Sequence, residues 1–134
     1  MEAAATSPVV SAADLAEAWL TEAYALLESG WCQNAPARNE AGVPVSPESP
    51  FARAWSATGA LTRLWRSSDS VDDVLRLDAL GRANLALTAA MNEIPAVYND
   101  AAGRRKEHVL EAVLAAVTLV RGFPIANASV PPPR

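Results

Sequence analysis

The chain has 134 residues, of which 51% are hydrophobic and 19% are charged, a composition typical of one globular domain and unlike that of intrinsically disordered proteins. Its net charge of −4 disfavours a general electrostatic grip on nucleic acid or on an anionic membrane. The 29 alanines favour closely packed helices.

The first ten residues and the single cysteine indicate a cytoplasmic protein. Residues 1–10 contain neither a basic region nor a long apolar run, so we expect a flexible N-terminus and no signal peptide. With Cys32 as the only cysteine, no internal disulfide can form. The most apolar segment, 109–120, is too short to cross a bilayer and contains Glu111. We therefore expect no membrane attachment.

Four proline-free segments carry the three-and-four spacing of amphipathic helices. The first predicted helix covers 12–28. It starts after Ser11, which forms a capping box with Asp14, and it stops at Gly30.

The second predicted helix covers 50–66 and starts with the cap and first-position pair Ser49 and Pro50. Phe51 belongs to its inward face. Gly59, in the middle of this helix, predicts a close helix crossing.

The last two predicted helices cover 71–93, capped by Ser70, and 104–121. Their inward residues are expected to be Val74, Leu77, Leu80, Leu87 and Met91 of the third helix, and Val109, Leu110, Val113, Leu114, Val117 and Val120 of the fourth.

The connection between the first two helices is longer than is usual in helix bundles. Its segment "ARNEAGVPV" predicts a small hairpin in which Gly42 takes the left-handed conformation after a turn at 39–41. The predicted fold is therefore all-α: a four-helix bundle-like domain over 11–123, with a small hairpin in the helix 1–2 connection. A proline-rich tail follows over 124–134.

The sequence offers no convincing catalytic or metal-binding set. Cys32 follows a helix C-terminus, where the dipole opposes a thiolate, so we expect a small buried hydrophobe. A hydrolase-like set with His108 and Asn99 is the weaker interpretation. One cysteine and one histidine cannot form a closed zinc site, and no glycine-rich nucleotide loop occurs. We expect no metal and no cofactor, and enzymatic activity is disfavoured.

The two loops at one end of the bundle hold the candidate binding residues. In an antiparallel bundle the 1–2 and 3–4 connections share one end. We expect Trp31 to plug this end, and Gln33 and Asp100 to crosslink the two loops. Asn99 and Asp100 are expected to tie backbone amides in their turn.

Arg104 and Arg105 crowd the start of the fourth helix, where the dipole prefers anions. We expect both to be solvated and paired with Asp100 or Glu107. The alternative is an anion site for a phosphate or a carboxylate. The complete candidate set is Trp31, Gln33, Arg38, Asn99, Asp100, Arg104 and Arg105.

The segments "GWCQNAPARNEAGVPVSPESPFARAWSATGAL" and "YNDAAGRRKEHVLEAV" resemble a family of small uncharacterised helical proteins from actinobacteria, related bacteria and their phages. The shared pattern is Gly-Trp-Cys-Gln, then Trp-x-x-x-Gly-Ala-Leu, then an aromatic residue before Asn-Asp, and it covers most of 15–120. The resemblance implies a helical fold and a bacterial or phage setting, but no activity. Ser56, Tyr98 and Arg105 depart from the family, which more often has cysteine, tryptophan and threonine there.

The leading functional interpretation is a non-enzymatic interaction or accessory protein. It would act through a helical surface or the loop end, as a homo-oligomer or as a modulator of a larger bacterial or phage assembly. The broad apolar face of the fourth helix supports this interpretation. The alternative is a binding protein for a small anionic ligand, or a small enzyme, that uses Trp31, Gln33, Asp100 and Arg104. A nucleic-acid binder, the third interpretation, requires the basic residues at 104–106 to dominate an acidic surface.

Overall fold

The computed structural model describes residues 11–69 and 71–122. Most of these residues are helical, which confirms the predicted helical class, and no helix among them is long and apolar enough to span a bilayer. In chain order the elements are α1 (Ala12–Ser29), β1 (Ala37–Asn39), β2 (Ala52–Trp55), α2 (Ala57–Ser67), α3 (Asp73–Met91), α4 (Pro95–Asp100) and α5 (Lys106–Val120).

Three long helices, α1, α3 and α5, pack against one another around the core. The shorter α2 packs mainly on α1, and α4 contacts both α2 and α3. Helices α1 and α5 are antiparallel, because Arg121 after the end of α5 pairs with Asp14 and Glu17 near the start of α1. At the opposite end, Lys106 Nζ donates to the carbonyl oxygen of Glu28 at 2.6 Å. The end of α1 and the start of α5 therefore lie together.

Both predicted boundaries of α1 are confirmed. Ser11 Oγ accepts from the backbone N–H of Asp14, and the Asp14 carboxylate accepts from the backbone N–H of Ser11. Gly30 ends the helix in an extended conformation that any residue could adopt. Its requirement for glycine has another cause, since a Cβ there would lie 2.0 Å from the carbonyl oxygen of Arg53 in β2.

The predicted start of the second helix at Pro50 is wrong. Residues 52–55 form β2, which pairs antiparallel with β1 and bridges Trp31 on its other side. Helix α2 starts only after Ser56, whose Oγ accepts from the backbone N–H of Gly59 at 2.9 Å. Strand pairing satisfies backbone groups on both sides of β2 and buries Trp55, and this tertiary gain overrides the local Ser–Pro start signal.

Two glycine predictions in this region have different outcomes. Gly42 is left-handed, with φ of 83°, as predicted for the turn. The predicted hairpin is present in short form: the arm after the turn bridges Pro44 to Arg38, with backbone hydrogen bonds of 2.9 Å from Asn39 N–H to the Val43 carbonyl and from Val45 N–H to the Ala37 carbonyl, while β1 also pairs with β2. Gly59 does mark a close approach, but to a loop: a Cβ there would lie 1.9 Å from the carbonyl oxygen of Pro36.

The predicted ends of the third helix shift inward. Asp72, whose carboxylate accepts from the backbone N–H of Leu75, caps α3. Left-handed Asn92, with φ of 58°, ends it. The predicted cap Ser70 lies outside the described residues, as do the predicted flexible N-terminus 1–10 and the proline-rich tail 124–134.

The predicted inward face of the third helix is partly wrong. Leu87 and Met91 are buried, whereas Val74 and Leu77 are 73% and 59% exposed. Instead, α3 buries small residues against its neighbours, since small side chains let helix axes approach closely. These buried small residues are Ala79, Ala83 and Ala86.

The last part of the chain contains one helix that was not predicted. The short α4 has Pro95 in its first turn, where proline is tolerated. Helix α5 starts at Lys106, two residues later than predicted. The inward prediction is confirmed for its buried valines and wrong for Leu114, which is 56% exposed.

Candidate functional site

The loop after α1 and the end of α4 meet, as predicted from the antiparallel arrangement of the helices. We call this region the loop junction and define it by Trp31, Gln33 and Asn34 of the first segment and by Asn99 and Asp100 of the second. Six side-chain hydrogen bonds build it: five join residues more than 60 positions apart, and the sixth reaches the start of α2.

Asn99 lies at the centre of the loop junction and is fully buried. Its Oδ1 accepts from Trp31 Nε1 at 2.8 Å and from the backbone N–H of Ala57 at 3.0 Å. Its Nδ2 donates to the carbonyl oxygen of Cys32 at 3.0 Å and to Asp100 Oδ1 at 2.9 Å. One amide thus ties the end of α1, the first turn of α2 and the end of α4 together, with all its hydrogen-bonding capacity used.

Gln33 and Asn34 add the remaining links between the two loops. Gln33 Nε2 donates to the carbonyl oxygens of Asn99 and Ala101, each at 3.0 Å. The backbone N–H of Asn34 donates to Asp100 Oδ1 at 2.9 Å, and Asn34 itself is left-handed with φ of 65°. The prediction that Gln33 and Asp100 crosslink the loops is confirmed, although each reaches a backbone group and not the other side chain.

Cys32 is buried beside the loop junction, and its thiol donates to the carbonyl oxygen of Ala35 at 3.5 Å. Burial raises the pKa of this thiol above its ordinary value, and the negative charge of Asp100 raises it further, while Arg38 acts in the opposite direction. A thiol that stays protonated is a poor nucleophile. The geometry therefore fits the predicted small buried hydrophobe.

The histidine of the weaker, hydrolase-like interpretation has a local role. His108 Nδ1 accepts from the backbone N–H of Arg105 at 3.2 Å, at the start of α5, and its carbonyl oxygen accepts from Tyr98 Oη. Among the described residues, His108 has no hydrogen bond with Cys32. This arrangement does not form the nucleophile–base pair that the weaker interpretation requires.

Arg38 lies near the loop junction, as predicted, but it braces the chain locally. Its guanidinium donates to the carbonyl oxygens of Gly42 at 2.9 Å and Gln33 at 3.1 Å. These two bonds fasten the turn after β1 to the first loop of the junction.

Arg104 and Arg105 point to different partners. The guanidinium of Arg104 stacks on the Tyr98 ring at 3.6 Å, donates to the Tyr98 carbonyl oxygen at 2.8 Å, and pairs with Glu93 at 3.5 Å. Arg105 has a side chain that is 70% exposed and lies 3.9 Å from Glu107. The predicted pairing with Glu107 thus holds for Arg105, while Arg104 pairs with Glu93 in place of Asp100. The two guanidiniums do not form a shared anion cradle.

An open cleft of about 300 Å³ adjoins the loop junction. Its polar wall, which was not predicted, includes Ser56 and Thr58 at the start of α2. The Ser56 side chain caps α2 by accepting from the backbone N–H of Gly59. Serine is one of the residues preferred at a helix N-cap, and this preference is the sequence signal that could have identified Ser56. The cleft is lined by Asn34, Ala35, Pro36, Ser56, Thr58, Ala96 and Asp100.

A second candidate surface is the outward side of α3, which includes Val74 and Leu77, two residues predicted to face the core. Val74, Leu77, Gly81 and Leu85 recur at helical spacing on this side, and we call them the α3 face. Leu85 is 60% exposed, similar to Leu77. On α5, predicted to carry the broad apolar surface, Leu110 and Val117 are partly buried against the core. The main exposed aliphatic stripe therefore lies on α3.

Three long helices, a short strand pair and a buried polar clamp define a small helical protein. The chain belongs to a family of unknown function, DUF6197, whose family model matches residues 11–119. No curated protein and no solved structure matches the chain.

Proposed function

We propose that this chain is a non-enzymatic interaction protein that binds another polypeptide through the α3 face. In this proposal it acts in the cytoplasm, as a homo-oligomer or as a modulator of a larger bacterial or phage assembly. The loop junction serves as the clamp that holds the helices in place. The observation that carries the proposal is the exposure of three large aliphatic side chains, Val74, Leu77 and Leu85, along one side of one helix.

The energetics of the α3 face support binding. Fully burying a large aliphatic side chain gains about 1.5–3 kcal/mol, so covering these three partly exposed side chains gains about 3–5 kcal/mol. Single exposed leucines are common on protein surfaces, but a contiguous apolar stripe is typical of an interaction site.

The saturation of the loop junction also supports this choice of surface. The side-chain amides of Asn99 and Gln33 and the indole N–H of Trp31 all bond to protein atoms. A ligand at this position would have to displace bonds that hold three helices together, which favours a structural role.

Site-specific photo-cross-linking tests the proposal. A photoreactive residue replaces Leu85 in the full chain, in cells that naturally produce the protein, and the control places it at exposed Thr21 on α1. We expect one adduct of defined mass from position 85, absent from position 21 and lost when Leu77→Glu is added. Absence of any adduct from position 85 would contradict the proposal.

The alternative proposal is a small-molecule binding protein or small enzyme that uses the cleft beside the loop junction. Its support is the polar lining by Ser56, Thr58 and Asp100. The carboxylate of Asp100 opposes an anionic ligand there, and Arg104 is engaged by Tyr98. A thermal-shift screen of anionic metabolites tests this alternative, because a specific ligand raises Tm by mass action. Loss of that shift in Thr58→Ala would locate the ligand in the cleft.

A further inference from the structure

Gly81 occupies an exposed position in the middle of α3, where no contact within the chain requires a glycine. A Cβ added there would meet nothing within 4 Å, in contrast to Gly30 and Gly59, where it would collide with backbone. Because glycine destabilises a helix interior relative to alanine, the fold of the single chain does not account for this residue. A glycine on a helix surface does allow the backbone of another helix to approach closely.

The residues around Gly81 are arranged symmetrically along the α3 face. Leu77 lies four residues before it and Leu85 four residues after it, and Val74 and Thr88 lie seven before and seven after. In an antiparallel pair of helices that cross at Gly81, Leu77 of one copy opposes Leu85 of the other, twice. A two-fold symmetric interface requires this self-complementarity.

Polar residues border the α3 face on both of its flanks. Asp78 lies three residues before Gly81 and Asn84 three residues after it. Asp78 is half-exposed and lies 3.2 Å from the Nε of Arg82. In the antiparallel crossing the two residues lie on opposite flanks of the helix pair, so each stays at the solvated edge of the apolar stripe. The crossing also sets each helix N-terminus against a C-terminus, a favourable arrangement of the dipoles.

We propose that two copies of this chain pair through antiparallel α3 helices that cross at Gly81. The inference rests on the proposed function and names its partner as a second copy. The stripe from Val74 to Thr88 spans about 21 Å of helix, at 1.5 Å per residue. One helix face of this length buries less than a standard interface, and contacts below about 1,200 Å² are typical of weak, reversible complexes. We therefore expect a weak, reversible dimer.

Sedimentation equilibrium of the full chain at increasing concentration measures the pairing. We expect a reversible monomer–dimer equilibrium, weakened more than about a hundredfold by Leu77→Glu, since that change places two unpaired carboxylates in the apolar interface. The matched control is Leu114→Glu, the same change at an equally exposed leucine on α5, which leaves the equilibrium unchanged. Equal effects of the two variants would overturn the proposed interface.

Gly81→Ala distinguishes an interface effect from misfolding. Because a Cβ has open space in the single chain, this variant is expected to unfold at a higher temperature while dimerising about tenfold more weakly. Unchanged dimerisation would show that no close crossing occurs at this residue. These opposite directions cannot arise from damage to the fold.

Cysteine cross-linking tests the register. For antiparallel helices, Leu77→Cys and Leu85→Cys form a disulfide only when the two variants are mixed, while Cys32 stays buried. Disulfides within each variant alone would indicate a parallel pair and overturn the crossing. A chain that stays monomeric up to millimolar concentration overturns self-pairing as a whole. In that case an adduct from position 85 with a different protein would still support the proposed function, and no adduct would end both.

Discussion

Replacing Asn99 by alanine removes the centre of the loop junction. The change deletes four hydrogen bonds, to Trp31, Ala57, Cys32 and Asp100. At about 1 kcal/mol each, these bonds contribute about 4 kcal/mol. Exposed Asp100 regains a partner from water, which lowers the loss to about 3 kcal/mol. The buried N–H of Ala57 and the buried carbonyl of Cys32 are left unpaired, at about 1 kcal/mol or more each, which raises the expected loss of stability to about 5 kcal/mol.

Urea unfolding followed by far-UV circular dichroism measures this loss. Small domains have total stabilities of about 5–15 kcal/mol, so Asn99→Ala should remove a large fraction of the free energy of unfolding. The matched control is Asn84→Ala on α3. Within the described residues the Asn84 side chain makes no hydrogen bond, and its backbone carbonyl, which accepts from Thr88 Oγ1, is kept in the variant. We expect its effect to stay within about 0.5 kcal/mol. A loss below about 1 kcal/mol in Asn99→Ala, at unchanged m-value, would refute the role of Asn99 as the central tie.

Three further predictions concern single positions. Burial raises the pKa of the Cys32 thiol above 9.0, so the stability that the protonated thiol contributes is complete below that pH and is lost as pH rises further. Urea unfolding at alkaline pH should therefore show that the free energy of unfolding falls less steeply with pH in Cys32→Ala than in the unchanged protein. Identical slopes of the free energy of unfolding against pH would contradict this. Gly59→Ala should prevent stable folding, because its Cβ would lie 1.9 Å from a carbonyl oxygen. Gly81→Ala should instead stabilise the monomer by about 0.5–1 kcal/mol. Thermal unfolding at low protein concentration measures both variants, and equal Tm shifts would disprove the contrast. Arg104→Ala should lower the free energy of unfolding by about 1–2 kcal/mol, because it removes the stack on the Tyr98 ring and a hydrogen bond. Arg105→Ala should lower it by less than about 0.5 kcal/mol, because the Arg105 side chain is exposed. Urea unfolding that ranks the two variants in the reverse order would refute the structural role of Arg104.

The sequence was sufficient to predict α1 and the meeting of the two loops. The Ser11–Asp14 capping box and Gly30 are local signals, and both operate as expected. The approach of Trp31 to Asn99 follows from antiparallel connectivity, which does not depend on exact helix boundaries. The particular hydrogen bonds were not predictable, because the choice between a side chain and a backbone acceptor depends on the details of packing.

The start of α2 could not be predicted because long-range pairing decided it. The segment with Ser49 and Pro50 carries a valid local helix start, but the next residues pair with β1 and with Trp31. Trp55 is then buried, with its Nε1 donating to the carbonyl oxygen of Pro47 at 3.0 Å. Pairing partners that are distant in sequence leave no mark in the local pattern.

Helix α3 is apolar on two sides, and periodicity alone cannot say which side faces inward. The larger residues Val74 and Leu77 were predicted to lie in the core, since larger side chains gain more from burial, but both are exposed. The fold instead buries a ridge of alanines, which permits close packing against α1 and α5. Over residues 74–86 of α3 the size pattern is thus the reverse of that expected for a helix with one buried and one solvated side, whereas Leu87 and Met91 near its end are buried.

This reversal connects the fold to the proposed interaction. A solvated helix side is usually polar, and large aliphatic residues there lower solubility without contributing to the core. Because Leu77 and Leu85 contribute little to the fold of the single chain, a contribution outside that chain best accounts for them. Gly81 between them lacks a role in the monomer for the same reason. A close partner helix accounts for all three residues at once, whereas a ligand at the loop junction accounts for none of them.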